Sequence, residues 1–387
     1  MSDHPADTPG DTEFASDDRT TVMKVVARPT VRALDGREHY LVQVQGNEPG
    51  RRILFGRQPL RLGRRAPADV LLGDAEVSGL HCEVVARGSV GDALVTDLGS
   101  TNGTFLNGRR VQGSMRLAQG MVLQLGRQVF VHEFRSPAEV AQAEELAHDL
   151  DKASRYVQSL LPARLNHGPL RTDWCFQPST QLGGDAFGHF MLDEHRFAGY
   201  LIDVSGHGAG AAMHSVSVMN VLRQRVLPDT DFGDPAQVLA RLNAIFPMDS
   251  HDGMMFSIWY GVFDRRDRRL RYASGGHHPA YLQAADSGAL TPLKTRNLVI
   301  GAMPDAVFGA ADVIVPPGAR LFLFSDGVFE LHDRDGRAWS LADLLPLLAQ
   351  VPAGHEAPAH WLQQAVMAQA RPGPLADDFS LLAVTFL

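Results

Sequence analysis

With 387 residues and 44% hydrophobic side chains, the chain can build two or three domains with cores of their own. A formal net charge of -8 excludes a general attraction to nucleic acid, and no apolar run approaches the length that crosses a bilayer. Cys82 and Cys175 are far apart and lack metal-ligand spacing, which excludes a disulfide framework; without a signal-peptide pattern, the expected location is the cytoplasm.

Residues 1–27 are rich in Asp, Thr, Ser and Pro, so they are expected to form a disordered acidic tail. Thr20 and Thr21 sit there beside acidic residues. Two readings stand: a solvated tail, or a site for phosphorylation by a Ser/Thr kinase.

Residues 28–135 read as short strands between turn signals. Tyr40–Val44, Leu60–Leu62, Asp69–Leu72, His81–Val85, Ala93–Thr96 and Met121–Leu125 are the expected strands, and their spacing predicts an all-β sandwich. Residues 136–164 form a linker helix. Ser136 and Pro137 start it, and Val140, Ala143, Leu146, Leu150, Ala153, Val157 and Leu160 recur at spacings of three and four until Pro162. The helix serves either as a spacer or as a short coiled coil joining two copies as a homodimer.

From 165 to 387 the composition turns to mixed α and β. Ala198–Asp203, Met255–Phe263, Leu270–Ala273, Ala280–Leu282, Arg320–Ser325 and Leu381–Leu387 read as strands. Helices are expected over 210–226, over 235–246 behind the N-cap Asp234, and over 357–370. Antiparallel sheets covered by helices predict an α+β fold in four layers, α-β-β-α.

Within this region apolar runs end repeatedly in Asp and Gly: Gly183-Gly184-Asp185, Asp203-Val204-Ser205-Gly206, Ser325-Asp326-Gly327 and Asp377-Asp378. One such pair is ordinary turn chemistry. Several together raise one another's pKa, a conflict that hard cations such as Mg2+ or Mn2+ relieve. The residues therefore point to a metal site.

Two stretches carry family resemblances. Leu62-Gly63-Arg64, Val77-Ser78-Gly79-Leu80-His81 and Asp97-Leu98-Gly99-Ser100-Thr101-Asn102-Gly103-Thr104-Phe105-Leu106-Asn107-Gly108 resemble the forkhead-associated (FHA) signature. The resemblance implies phosphothreonine binding by Arg64, Ser78, Thr101 and Asn102, through a guanidinium fork, hydroxyls and an amide. His81 is expected to pack the loop that presents Ser78, and Asn107 to fix a turn. Gly79 departs from the commonest pattern, which has a longer polar residue there.

The aspartate motifs, with Gly275-Gly276-His277-His278-Pro279 and Leu160-Leu161-Pro162, resemble the SpoIIE-type branch of the metal-dependent protein phosphatases. The resemblance implies two Mn2+ or Mg2+ ions sharing a bridging water that attacks phosphorus in line. Asp185 and Asp203 are implied as central ligands with the Val204 carbonyl, Asp326 and Asp377 as ligands of the other ion, and Asp378 as the neighbour ranked behind Asp377. Ser205 is not expected to be a nucleophile, and His207 is expected to shape its loop. Ala186-Phe187-Gly188-His189 stands where the family often has a further acidic residue.

The combined expectation is a phosphoserine/phosphothreonine phosphatase with a phosphothreonine reader. Its substrate would be a phosphorylated regulatory protein, by resemblance an anti-sigma-factor antagonist. The reader would bind a phosphothreonine protein or the chain's own tail. The rival reading is a non-catalytic scaffold that binds phosphopeptides beside a degenerate phosphatase domain.

Overall fold

The computed structural model describes residues 36–87, 91–206, 208–371, 373 and 375–387. The expected tail, Thr20, Thr21 and His207 lie outside these. The chain divides into two units, residues 1–137 and 138–387.

In the first unit one sheet contains β1 (Glu38–Gln45), β2 (Arg52–Phe55), β7 (Thr104–Leu106), β8 (Arg109–Arg110), β10 (Val122–Leu125) and β11 (Gln128–Arg135). Its order is β2-β1-β11-β10-β7-β8. The other sheet, in order β4-β3-β5-β6-β9, contains β3 (Leu60–Gly63), β4 (Val70–Leu71), β5 (Cys82–Arg87), β6 (Asp92–Asp97) and β9 (Ser114–Leu117). Alternate residues point inward, so Leu41, Leu62, Val84, Val95, Leu123 and Phe130 form a fully buried core between the sheets. Asn107 and Gly108 both take positive φ, 47° and 75°, which a two-residue hairpin turn requires. The Asn107 Oδ1 accepts from the Val122 N–H at 2.8 Å and ties the turn to β10.

The second unit opens with α1 (Pro137–Ser159), in which no residue is buried. Its sheets are antiparallel and packed face to face. One, in order β12-β21-β20-β17-β18, comprises β12 (Leu170–Gln177), β17 (Ala280–Gln283), β18 (Leu290–Leu293), β20 (Arg320–Phe324) and β21 (Phe379–Phe386). The other, in order β13-β14-β15-β16-β19, comprises β13 (Asp185–Met191), β14 (Arg196–Val204), β15 (Phe256–Asp264), β16 (Arg269–Gly275) and β19 (Ala311–Ile314). Phe187, Leu201, Trp259, Leu321, Leu323, Leu382 and Val384 fill the space between them.

Helices α2 (Ala209–Gln224) and α3 (Pro235–Ile245) cover the β14 sheet, while α4 (Leu341–Ala349) and α5 (Pro358–Gln369) cover the β20 sheet. The four-layer α+β arrangement is the expected one. Asp234 caps α3 by accepting from the Ala236 N–H at 3.1 Å. Strands β12, β13, β18 and β19 and helix α4 add to the sequence reading. In β13 the mixed run Asp-Ala-Phe-Gly-His-Phe-Met hides the alternation, and α4 carries Pro346 within a leucine run.

Candidate functional site

Strands β13 and β14 pair in register so that Asp185 lies directly opposite Asp203. Cross-strand partners share a face, so the two side chains project together from the same end of the sheet. In the facing sheet Phe324 pairs with Leu381, so Asp326, just past β20, and Asp377 and Asp378, just before β21, lie beyond one pair of strand ends. Four stretches far apart in sequence thus converge through two strand pairings.

A cavity of about 280 Å3 sits there, with Asp203, Val204, Ser205, Ser257, Asp326 and Asp377 in its wall and neither Lys nor Arg. Asp185 is buried behind it at 3% exposure. Burial, and then the charge of Asp203, holds the Asp185 carboxyl well above the usual carboxylate range; its Oδ2 has no hydrogen-bond partner. Burial pushes Asp203 up to about 7, helped by Asp326, Asp377, Asp378 and Glu330. Burial likewise raises Asp326 to about 6, with Asp377 and Glu330 adding to it. Glu330 had not been singled out in the sequence, though it lies four residues beyond Asp326 and its N–H donates to the Asp326 carbonyl at 2.8 Å. Among the described residues no three His, Cys, Asp or Glu side chains are drawn together into a ready coordination shell.

Asp378 is differently placed from Asp377. Its Oδ1 accepts from the Ser179 N–H (2.7 Å) and Oγ (3.0 Å), and its Oδ2 from the N–H groups of Gly184 (2.6 Å) and Asp185 (3.4 Å). This carboxylate clamps the loop that presents Asp185. Gly183 is required by the same contact, because a Cβ there would stand 2.5 Å from the Asp378 Oδ2. The Ser325 hydroxyl donates to the Asp378 carbonyl (2.9 Å) and accepts from the Ser380 N–H (3.1 Å), locking the two strand ends together.

Ser205 is exposed, with its N–H bonded to the Met255 carbonyl, and no His or Asp among the described residues hydrogen-bonds its hydroxyl. His277 is buried with Nδ1 2.8 Å from the His278 carbonyl, and His278 lies against the Phe324 ring. Phe187 belongs to the core between the sheets and Gly188 lies against the Tyr200 hydroxyl. The expected extra acidic position is therefore occupied by packing residues.

In the first unit the four residues expected to read phosphothreonine lie on neighbouring loops. The Arg64 N–H donates to the Ser78 carbonyl at 2.9 Å, leaving the exposed side chain to project from β3. The Thr101 N–H donates to the Ser78 Oγ at 3.0 Å, and the two hydroxyls are 3.3 Å apart. Asn102 Nδ2 donates to the Glu76 carbonyl at 2.8 Å. Buried His81 accepts from the Ser78 N–H at Nδ1 (3.0 Å), so its Nε2–H donates to the Gly103 carbonyl (3.2 Å). It holds the two loops together, as the sequence reading expected of a packing residue. At Gly79 a Cβ would come 2.9 Å from the Arg65 side chain, which lies across it.

Asp97 anchors the Thr101 loop and was not singled out in the sequence. It accepts from the N–H groups of Gly99 and Ser100 (2.9 Å each), the Ser100 hydroxyl (2.5 Å) and the Thr104 hydroxyl (2.6 Å). Burial alone would raise its pKa, but these donors outweigh burial and lower it to about 2 from 3.8. A carboxyl depressed on folding stabilises the fold above its unfolded pKa. The contribution is therefore complete above about pH 4 and lost as pH falls toward 2. Thermal melts across that range should show wild type losing stability to acid more steeply than Asp97→Asn.

With this geometry in view, comparison with known proteins gives the class. The family model for Stage II sporulation protein E (SpoIIE) matches residues 193–387, and that for the FHA domain matches residues 60–126. The chain belongs to the SpoIIE family and carries an FHA domain ahead of it. It is 26% identical over 186 residues to the phosphoserine phosphatase RsbP of Bacillus subtilis, covering 47% of this chain and 45% of that one. It is 26% identical over 196 residues to the phosphoserine phosphatase RsbU of the same organism, covering 50% and 57%. Its first unit is 36% identical over 88 residues to the FHA domain-containing protein FhaB of Mycobacterium tuberculosis, covering 23% and 56%. The chain thus spans about half the length of the curated relatives it matches. Among solved structures, the SiaA-PP2C domain of Pseudomonas aeruginosa shares the fold of the second unit (TM-score 0.56, 19% identity, 64% of this chain and 99% of that one).

Proposed function

We propose that the chain is a metal-dependent protein phosphatase that removes phosphate from phosphoserine or phosphothreonine on a regulatory protein. Its FHA module would bind phosphothreonine to target or regulate that activity. The observation that carries this reading is the convergence of Asp203, Asp326 and Asp377 on one cavity whose wall has no cationic side chain, with Asp185 buried behind it opposite Asp203. A phosphate dianion is repelled by bare carboxylates, so a phosphatase built here needs cations. The donors suit them: hard oxygens, an unpartnered buried Asp185 Oδ2, and carboxyls whose pKa is raised by burial and then by one another's charge.

Mn2+ or Mg2+ would be held by Asp185, Asp203 and the Val204 carbonyl in one position, and by Asp326 and Asp377 in the other. Ions held by these residues would supply activated water and neutralise phosphoryl oxygens. The chain's own contribution is positional. Asp378 holds the Asp185 loop through backbone donors, and in this reading it would act as a clamp and not as a ligand. Small residues at the cavity, Ser205, Gly206 and Ala376, leave room for a phosphate. A space of about 280 Å3 admits a phosphorylated side chain and not a folded surface, so the substrate residue must extend inward.

The two B. subtilis relatives, both phosphoserine phosphatases, support the reaction class. An anti-sigma-factor antagonist is the substrate class we favour. A Ser/Thr kinase would phosphorylate that substrate, or Thr20 or Thr21, making the chain's own tail a ligand for Arg64. Two copies would pair through α1, whose Leu146 is 60% exposed. The enzyme would work in the cytoplasm; among the described residues no helix is long and apolar enough to cross a membrane.

The phosphate reader is tested by titrating the full chain with a phosphothreonine peptide. Arg64→Ala should weaken binding by roughly a hundredfold, since a charge-assisted fork contributes about 3 kcal/mol. Equal affinity in wild type and variant would remove Arg64 from the site. For catalysis, p-nitrophenyl phosphate turnover requiring Mn2+ separates the enzyme from the scaffold reading.

A further inference from the structure

The first unit carries a second hollow, of about 670 Å3, away from the phosphate-reading loops. Ser78 and Thr101 flank the Cys82–Asp97 end of the β5–β6 hairpin, whereas the hollow reaches Ala86, which pairs with Ala93 toward the other end. Four residues of strand separate the two positions by about 13 Å. Three rings set abreast line the hollow, because Phe134, His39 and Phe55 are register partners across β11, β1 and β2. Their centroids are 4.6 Å (His39–Phe134) and 5.3 Å (His39–Phe55) apart. His39 is buried, with Nδ1 bonded to His132 Nε2 at 2.9 Å, so the middle ring is fixed. Arg37 and Arg57 add guanidinium groups; the carboxylate of Glu38, also in the wall, accepts from the Tyr40 hydroxyl at 2.7 Å.

A surface of this kind suits a peptide that offers one aromatic ring between carboxylates, the ring seated on rings and the carboxylates on arginines. The chain supplies such a peptide. Residues 1–18 contain six carboxylates and no Lys or Arg, and Phe14 is the one Phe, Tyr or Trp before Tyr40. The stretch Asp11-Thr12-Glu13-Phe14-Ala15-Ser16-Asp17-Asp18 lies outside the described residues, which begin at Gly36 beside Arg37. The 22 residues from Phe14 to Gly36 can reach at most about 75 Å, enough for Phe14 to arrive at the hollow from Gly36 beside Arg37. We propose that residues 11–18 dock in this hollow, with Phe14 on the ring floor and a flanking carboxylate on Arg57.

The test uses the full chain and the rate at which chymotrypsin releases residues 1–14, followed by intact mass. Cleavage of a docked segment tracks the fraction undocked. Arg57→Glu, an exposed position, should raise the rate by about fivefold or more, and 0.5 M salt should do the same in wild type. Arg64→Ala should leave it unchanged. Hydrogen exchange gives the reciprocal reading: Phe14→Ser should speed exchange of the amides over residues 54–58. Equal cleavage in wild type and Arg57→Glu, or acceleration by Arg64→Ala alone, would overturn the proposal. So would exchange over residues 54–58 that ignores Phe14.

Discussion

Asp203→Asn is expected to cut phosphatase turnover by roughly a thousandfold while leaving the fold intact. The substitution keeps the shape of the side chain and removes one of the charges crowded around the cavity. Asp203 feels burial first and then Asp326, Asp377, Asp378 and Glu330, all acting against its ionised form. In the absence of added cations the variant should therefore melt no lower than wild type, because a disfavoured buried charge has been deleted. Turnover of p-nitrophenyl phosphate together with a thermal melt checks both parts. A variant that retains activity would exclude Asp203 from the catalytic machinery. One that loses activity through unfolding would show instead that the carboxylate is structural.

Asp378→Ala is expected to fail differently. Four donors from Ser179, Gly184 and Asp185 would lose their acceptor in a buried loop. Stripping a buried carboxylate from its donors costs about 3 kcal/mol, which for a domain of this size lowers Tm by about 6–12 °C. Asp378→Asn keeps one acceptor oxygen and should lose about half as much. The discriminating measurement is Mn2+ affinity by calorimetry below the melting range. Clamping predicts that Asp378→Asn weakens Mn2+ binding by about tenfold, as loss of an outer partner does, together with its drop in Tm, whereas Asp377→Asn weakens Mn2+ binding at least as much with no drop in Tm. Weakened Mn2+ binding in Asp378→Asn at an unchanged Tm would make Asp378 a ligand.

Much of this site could be read from the chain because its signals are local. Apolar runs closing on Asp203 and Asp326 announce strand ends, and the glycines beside them announce backbone that a ligand or neighbour approaches. The four-layer arrangement and helices α2, α3 and α5 followed from the same runs, whereas α4 did not. The resemblance ranked Asp377 ahead of Asp378, but the sequence carried no sign of what Asp378 holds. The distinction depends on which of two adjacent side chains turns toward the Gly183–Asp185 loop, nearly two hundred residues away, and no pattern within Ala-Asp-Asp-Phe-Ser encodes that. Asp97 was missed for a related reason. It looks like the end of an ordinary strand, and its role appears only when Ser100 and Thr104 fold back on it. Strand β13 was missed because its first four residues are buried on both faces, so it lacks the period-two alternation that marks a half-exposed strand.

The central claim is that these carboxylates serve phosphate hydrolysis with divalent cations. The most direct test is phosphate release from a phosphoserine peptide by the full-length chain in Mn2+, then in excess chelator, then with Mn2+ restored. The expected result is turnover that stops with chelator and returns with the ion, and that Asp203→Asn never shows. A folded chain that binds no Mn2+ in calorimetry and releases no phosphate at any Mn2+ concentration would contradict the account and leave the phosphopeptide-binding scaffold in its place.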